Sequence, residues 1–430
     1  MIPRFWVVAM VQCIALSVFS PAAQGQQKLT LKEAEAAAIQ NNPRLKAAHL
    51  NAQAAAQTPI EIRSTMIPNL YSSFTGATAI DNSRIAAGGL NNPVIYDRLA
   101  AGVTAGQMIT DFGRTSSLVA SADLHAQSQD KLGEATRDQV VLEVDRAYFS
   151  ALRAQAVLRV AKQTVDARKV VLDQITELAS NKLKSDLDVT FAKVNVADAE
   201  LLRLNAQNEL SATFADLGQA MGERSPQEYQ LMEEAMPSAL PPQPDDLISQ
   251  AMQARPDVSA FRFERDSAER YSKAEQSLRH PAISAVGTLG VIPLRSAPLS
   301  DRYAAVGFNI NIPVFNGKLY SARQKEAEFK ARASEERLTD LSNAVSRDIR
   351  VAWLRANTAF QRIALTNELL DQSRQALELA QTRYDLGLSS IVELSQAQLN
   401  QTSAEIAGAS ATYDYELQRS ILDYQMGVSH

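Results

Sequence analysis

Along this chain the hydrophobic period switches from helical to extended and back to helical, and it does so twice in the same order. Thr30-Leu31-Lys32-Glu33 is a capping-box pattern that opens a short helix to Gln40, and Asn42-Pro43 breaks it before a second helix running to about Ser64. Two strand candidates follow at about 68–79 and 96–109, and the Asn- and Gly-rich stretch 81–93 between them reads as a loop. A long alanine-rich helix is then predicted from about Gly113 to Ser180, with a turn at 181–184 and a return helix from about Ser185 to Met221. In the second half Asp245 and Asp246 open a helix that Arg255-Pro256 interrupts. Strands are predicted at 282–291 and 303–312, around a loop holding Pro293 and Pro298. Helices from about Gly317 to Asp385 and from Ser389 to Met426 close the series, with a turn at 386–388.

The halves are copies. Tyr303 to Gly317 lies over Leu99 to Gly113 without a gap, 204 positions later. Met426-Gly427 answers Met221-Gly222, and Ala352-Trp353-Leu354 answers Ala147-Tyr148-Phe149, both at 205; Arg255-Pro256 answers Asn42-Pro43 at 213. A unit this long, present twice, argues for two pseudo-equivalent halves of one assembly and against a solenoid of short repeats. The expected organisation is a leader at 1–25, a first repeat at 26–222, a proline-rich linker at 223–244 packed on the outside, and a second repeat at 245–430.

In the last strand Val306, Phe308, Ile310 and Ile312 point one way while Ala305, Gly307, Asn309 and Asn311 point the other. One such strand fits a half-buried soluble sheet as well as a membrane barrel with a wet lumen. The long helices decide between them: at 1.5 Å per residue each reaches on the order of 100 Å, and no compact core needs such a rod. Neither contains a proline. Val141, Val144, Tyr148 and Leu152, with Ile349 and Trp353, form narrow apolar seams between alanines.

Composition narrows the setting. Arg4, the apolar stretch Phe5 to Phe19 and Ala23-Gln24-Gly25 make a secretion leader. The formal net charge of −5 becomes one unit more negative when Arg4 leaves, which argues against nucleic acid as a partner. Cys13 is the sole cysteine and departs with the leader, so no disulfide, thiolate metal site or thiol nucleophile is expected. An exported chain without cysteine fits a Gram-negative envelope. Downstream there is no run of about 18 apolar residues, so any membrane crossing must use a β-barrel.

Four strands cannot close a membrane barrel, whose smallest examples use about eight, so the chain must oligomerise. Two copies give about eight strands with an interior filled by side chains; three give about twelve, with space for a channel. Four long helices per chain likewise form only an arc, and several arcs make a tube. The expected fold class is mainly α with a small β-barrel.

The residues carry a resemblance. Arg383-Tyr384-Asp385-Leu386-Gly387-Leu388-Ser389-Ser390-Ile391-Val392-Glu393-Leu394 resembles the interhelical turn of the TolC family of outer-membrane efflux and secretion channels. Ser185-Asp186-Leu187-Asp188-Val189 is its first-half counterpart, and Asp111-Phe112-Gly113, Phe315-Asn316-Gly317 and the paired Met-Gly endings fit as well. The similarity spans Leu29 to Gly427. It implies a homotrimer with a twelve-stranded barrel in the outer-membrane lipid and a twelve-helix periplasmic tunnel. The tunnel's tips dock on a periplasmic adaptor linked to an inner-membrane pump of RND, ABC or MFS type. The chain is then the passive exit duct of a tripartite efflux pump or a type I secretion system, and it needs no cofactor.

By that resemblance Lys182, Leu183, Lys184 and Ser185, with Gly387, Leu388, Ser389 and Ser390, meet the adaptor. Gly387 also serves the turn itself, through its left-handed conformation. Glu393 falls where relatives place a lumen-facing acid, and in a trimer it makes a ring of three carboxylates at the periplasmic constriction, favouring cations. The second acid of the family pattern is replaced by Gln396. Asp188 and Tyr384 match positions that clasp the closed tips, whereas the arginine of that clasp is replaced by Ser389, so a looser latch and a moderate resting conductance are expected.

The residues fit two other classes less well. An enzyme finds no support: His49, His125, His280 and His430 are scattered without metal-ligand spacing, and no catalytic motif stands out. A periplasmic adaptor or coiled-coil scaffold carries one hairpin flanked by small β domains. Two hairpins with two alternating strand pairs favour the channel.

Overall fold

The computed structural model describes residues 28–80, 95–223, 227–233, 240, 243–295 and 299–428. The leader, the loop expected at 81–93, Pro298 and most of the linker prolines lie outside the described residues. The first repeat holds β1 (Lys28–Leu29), α1 (Leu31–Asn41), α2 (Pro43–Ser64), β2 (Asn69–Ala77), β3 (Arg98–Thr110), α3 (Arg114–Ser180) and α4 (Asp186–Met221). After β4 (Gln230–Leu231) come α5 (Asp245–Ala254), α6 (Pro256–Gln276), β5 (Ala282–Arg295), β6 (Arg302–Asn311), α7 (Leu319–Asp385) and α8 (Ile391–Met426).

The repeat is closest in the long helices. α3 and α7 both have 67 residues and α4 and α8 both have 36, at a constant offset of 205. The strands align at 204 because the left-handed pair that turns strand into helix is Phe112-Gly113 in one copy and Gly317-Lys318 in the other, one position later.

Both Xaa-Pro breaks have the same job. The Asn42 side chain donates to the Ala220 carbonyl at 3.0 Å, and the Arg255 guanidinium donates to the Gln425 carbonyl at 3.0 Å. These carbonyls lie 205 residues apart, each one residue before a Met that ends a return helix. Gly222 (φ 77°) and Gly427 (φ 71°) then cap α4 and α8, and a Cβ on either would sit 3.0 Å from the backbone of the opposing break. Proline can open α2 and α6 because the first N–H groups of a helix have no partner inside it.

The core lies around the seams. Val140, Val144, Tyr148 and Leu152 of α3 pack with Phe214 and Leu217 of α4 and with Ala34 and Ala38 of α1. Val345, Ile349 and Ala352 of α7 pack with Leu422 and Met426 of α8 and with Val258 of α6. The segment between the repeats is a correction to the outside linker expected there. Gln230–Leu231 pairs in parallel with Lys28–Leu29, and Tyr229 and Leu231 are buried in the first core. The fully buried Tyr148 hydroxyl donates to the Met232 carbonyl at 2.7 Å and accepts the Met232 N–H at 3.1 Å. An aromatic expected only to fill a seam therefore also ties down the connection.

All pairs in the four-stranded sheet are antiparallel, in the order β2-β3-β5-β6. Its register sorts the side chains onto two faces. Leu70, Phe74, Val103, Leu289, Val306, Phe308 and Ile310 share one, and Ser73, Thr75, Thr104, Ser284, Thr288 and Asn309 share the other. On the second face Thr104 and Thr288 hydroxyls meet at 3.1 Å. β5 runs to Arg295 and continues through Pro293, where a loop is expected from the sequence. Proline is tolerated there because the β3–β5 register shifts between Leu99 and Ala101, next to the Leu99–Leu294 pair.

Where sheet meets helices, Glu275 at the end of α6 is 2% exposed and lies 2.7 Å from Arg323 of α7 and 3.8 Å from Arg114 of α3. One buried carboxylate thus ties the starts of both long helices.

Candidate functional site

The two hairpin tips are built alike. After α3, Lys182 takes φ +61° and the Leu183 N–H returns to the Leu178 carbonyl at 2.9 Å; after α7, Gly387 takes φ +73° and the Leu388 N–H returns to the Arg383 carbonyl at 2.8 Å. Each next helix starts on a serine. Ser185 caps α4 in a reciprocal box with Asp188, its N–H and hydroxyl donating to that carboxylate at 3.0 and 2.8 Å. The Ser390 hydroxyl accepts the Glu393 N–H at 3.4 Å.

A small core joins the hairpins just behind the tips. Ile175 of α3, Ala192 of α4, Tyr384 of α7, and Ile391 and Leu394 of α8 are buried together, and the Asn195 amide donates to the Ser395 hydroxyl at 2.8 Å. Lys184 crosses from one tip to the other. Its ammonium donates to the Tyr384 carbonyl at 3.0 Å and sits 3.6 Å from the centre of the Tyr384 ring. The residue is 3% exposed and its hydroxyl finds no hydrogen-bond partner among the described residues. Burial, then the charges of Asp188 and Asp385, push that hydroxyl up to about 12, so it stays protonated.

The sequence-predicted tip residues therefore divide. Lys182, Leu183, Gly387 and Leu388 are exposed. Ser185 and Ser390, also exposed, cap helices, Lys184 is half-buried on Tyr384, and the Ser389 hydroxyl is buried with no partner among the described residues. Glu393 pairs with Arg383 of its own hairpin at 3.1 Å, both side chains about half exposed. Gln396 shares that exposed face of α8 and donates to Asn400 at 3.0 Å. Asp188 and Tyr384 are not hydrogen-bonded to each other, since Asp188 is held by its cap.

Sequence reasoning missed the apolar surround of the tips. Leu187 (63% exposed), Leu386 (68%) and Val392 (56%) stand in water beside Leu183 and Leu388. Leu187 and Val392 are repeat-equivalents, and that recurrence was a signal available in the sequence. Lys184 on Tyr384 was not available, because the residues are 200 positions apart.

A sheet with one apolar and one polar face, carried on paired helical rods far longer than any core requires, defines a membrane channel with a tunnel attached. Among the described residues no helix is long and apolar enough to cross a membrane. Residues 36–223 and 247–427 match the family described as outer membrane efflux protein, and the chain belongs to that family. It is 21% identical over 415 residues to outer membrane protein TolC of Escherichia coli (strain K12), covering 94% of this chain and 82% of that one. It is 25% identical over 386 residues to outer membrane protein OprJ of Pseudomonas aeruginosa, covering 86% and 78%. The crystal structure of CusC superposes with a TM-score of 0.80 at 18% identity, covering 99% of both chains. The resemblance drawn from the turn motifs holds, and the protein resides in the outer membrane of a Gram-negative bacterium.

Proposed function

We propose that three copies of the chain close into a channel that is the passive exit duct of a tripartite efflux pump or a type I secretion system, opened when an adaptor docks on the helix tips. One observation carries this reading: among the described residues every layer leaves the same two sides unpartnered. In the sheet they are the outer edges of β2 and β6, which run in opposite directions and so can pair antiparallel. Below the sheet α6 packs between α3 and α7, whereas its repeat-equivalent α2 packs mainly against α3. Over their length the long helices pack chiefly in the order α4-α3-α8-α7, leaving α4 and α7 outermost. Both present apolar stripes, Leu187, Val194, Leu201 and Leu204 on one and Leu354, Leu365, Leu369 and Leu379 on the other. A head-to-tail contact of β6 and α7 with β2, α2 and α4 of the next copy satisfies all of them, and a heterologous contact that closes makes a ring.

In this assembly the exposed apolar tips, Leu183, Leu187, Leu386, Leu388 and Val392, meet the adaptor, with Lys182 and Gly387 beside them. Lys184, Ser185, Ser389 and Ser390 shape the turns. Glu393 lines the narrow end with Gln396 one turn further, and its pairing with Arg383 weakens the field of a carboxylate ring below that of three free charges. Ser389 leaves the tip clasp without the family's arginine, and Lys184 supplies a cation to Tyr384 from the opposite turn. The adaptor and the inner-membrane pump, of RND, ABC or MFS type, provide the energy. The duct itself needs neither catalysis nor a cofactor.

The test is the mass of the unheated, detergent-extracted protein, corrected for bound detergent. A heat-sensitive complex of three chains supports the duct. A monomer removes the closed barrel, the Glu393 ring and the docking tips together.

A further inference from the structure

The polar face of the sheet carries one large side chain where the register leaves room for none. Tyr303, the second residue of β6, stands opposite Gly290 of β5, and Gly290 stands opposite Gly102 of β3, so all three share that face at its loop end, away from the helices. The ring does not rise from the sheet. It lies across β5 and reaches β3: a Cβ at Gly102 would collide with the Tyr303 hydroxyl, and one at Gly290 would sit 2.6 Å from the same end of the ring. Tyr303 is half-buried as a result, although it stands on the open face. Side chains on a strand normally stand roughly perpendicular to the sheet, so this posture exists because two adjacent strands have no side chain at that level.

The geometry points to Gly102 and Gly290 as a slot that stows Tyr303 flat against the wall and so sets the width of the bore at its outer mouth. With the slot filled, the ring has nowhere to lie and stands into the lumen. Three copies then place three phenol rings around one level of the channel, narrowing it and lining it with hydroxyls. The posture of Tyr303 is a property of one chain; its effect on the bore rests on the trimeric duct proposed above, with the polar face inward.

Gly102→Ala is the informative variant: its methyl group strikes the mobile end of the Tyr303 side chain hardest and needs only a slight shift of the Leu289 carbonyl 2.9 Å away, whereas at Gly290 the Ala101 carbonyl stands first in the way. The first readout is nitration by tetranitromethane, mapped by mass spectrometry, with Tyr71 on the same face and 56% exposed as internal reference. Tyr303 is expected to react more slowly than Tyr71 in the native protein and to approach its rate in Gly102→Ala. The second is the size cut-off for neutral polymers entering from the loop side, which does not depend on the tip constriction. It should fall in Gly102→Ala and recover in Gly102→Ala/Tyr303→Ala. Equal native rates for Tyr303 and Tyr71 overturn the slot, even if the variant fails to assemble. A raised Tyr303 rate with an unchanged cut-off in an assembled trimer overturns its control of the bore. Nitration is read on the extracted chain in any oligomeric state, so failure of the slot and failure of the trimer are told apart.

Discussion

Asp145 is the residue at which this fold spends stability. It is 3% exposed on α3, faces Glu35 of α1, which is hydrogen-bonded to it, and has Ser420 and Asp423 of α8 nearby; Asp423 is itself held by Arg419. Burial first, and then the Glu35 carboxylate, push the Asp145 carboxyl up to about 8. The folded chain thus keeps a proton that the unfolded chain gives up near 3.8. Between those values the native state binds more protons than the unfolded state, so stability falls as pH rises, by up to about 1.4 kcal/mol per pH unit. Asp145→Asn keeps a donor for Glu35 and does not titrate. Thermal unfolding at pH 5 and pH 8 should show a native midpoint that drops between them and a variant midpoint that drops less, with the variant the more stable at pH 8. Parallel pH responses would show that Asp145 is ionised in the fold. The repeat-equivalent residue is Arg350, which pairs with Asp245 at 3.3 Å, so the acid pair belongs to one half only.

Among elements, helix ends separate architecture from turn chemistry. Gly427 and Gly387 both have positive φ, but a Cβ at Gly427 meets the backbone of Arg255 at 3.0 Å whereas one at Gly387 meets nothing within 4 Å. Left-handed backbone alone costs a residue with a Cβ about 1–2 kcal/mol. Gly387→Ala should lose about that much, and Gly427→Ala clearly more, since the whole α5–α6 break must move to admit the methyl group. Comparing their unfolding midpoints tests this; equal losses would mean that the break is not locked to the end of α8. The Met-Gly endings and Xaa-Pro breaks were visible in the sequence as separate landmarks. Their contact was not, because Asn42 and Ala220 are 178 positions apart and no local pattern encodes which carbonyl an amide reaches. The tips show the same division. Their turn and cap residues could be read locally, whereas the commitment of Lys184 to Tyr384 required the two hairpins to be side by side.

For the whole molecule, the flank of α4 is the most exposed prediction. Leu201 and Leu204 are 57% and 59% exposed, and a soluble rod would gain nothing from them. Leu201→Glu/Leu204→Glu should leave the helix content of each chain unchanged by circular dichroism and lower the unheated mass from three chains towards one. An intact trimer would place the contact between copies elsewhere. The doubled helix-strand-helix order and the alternation in β6 were set by the sequence, because period and repeat are properties of neighbouring residues. Tertiary structure alone decided that the inter-repeat segment enters the core and that Glu275 binds both long helices. It also decided that Lys184 lies on Tyr384 and that Tyr303 lies in a slot made by glycines on two other strands. Each of these depends on which distant side chains the register and the hairpin packing bring within a few ångströms, and that is settled only when the chain has folded.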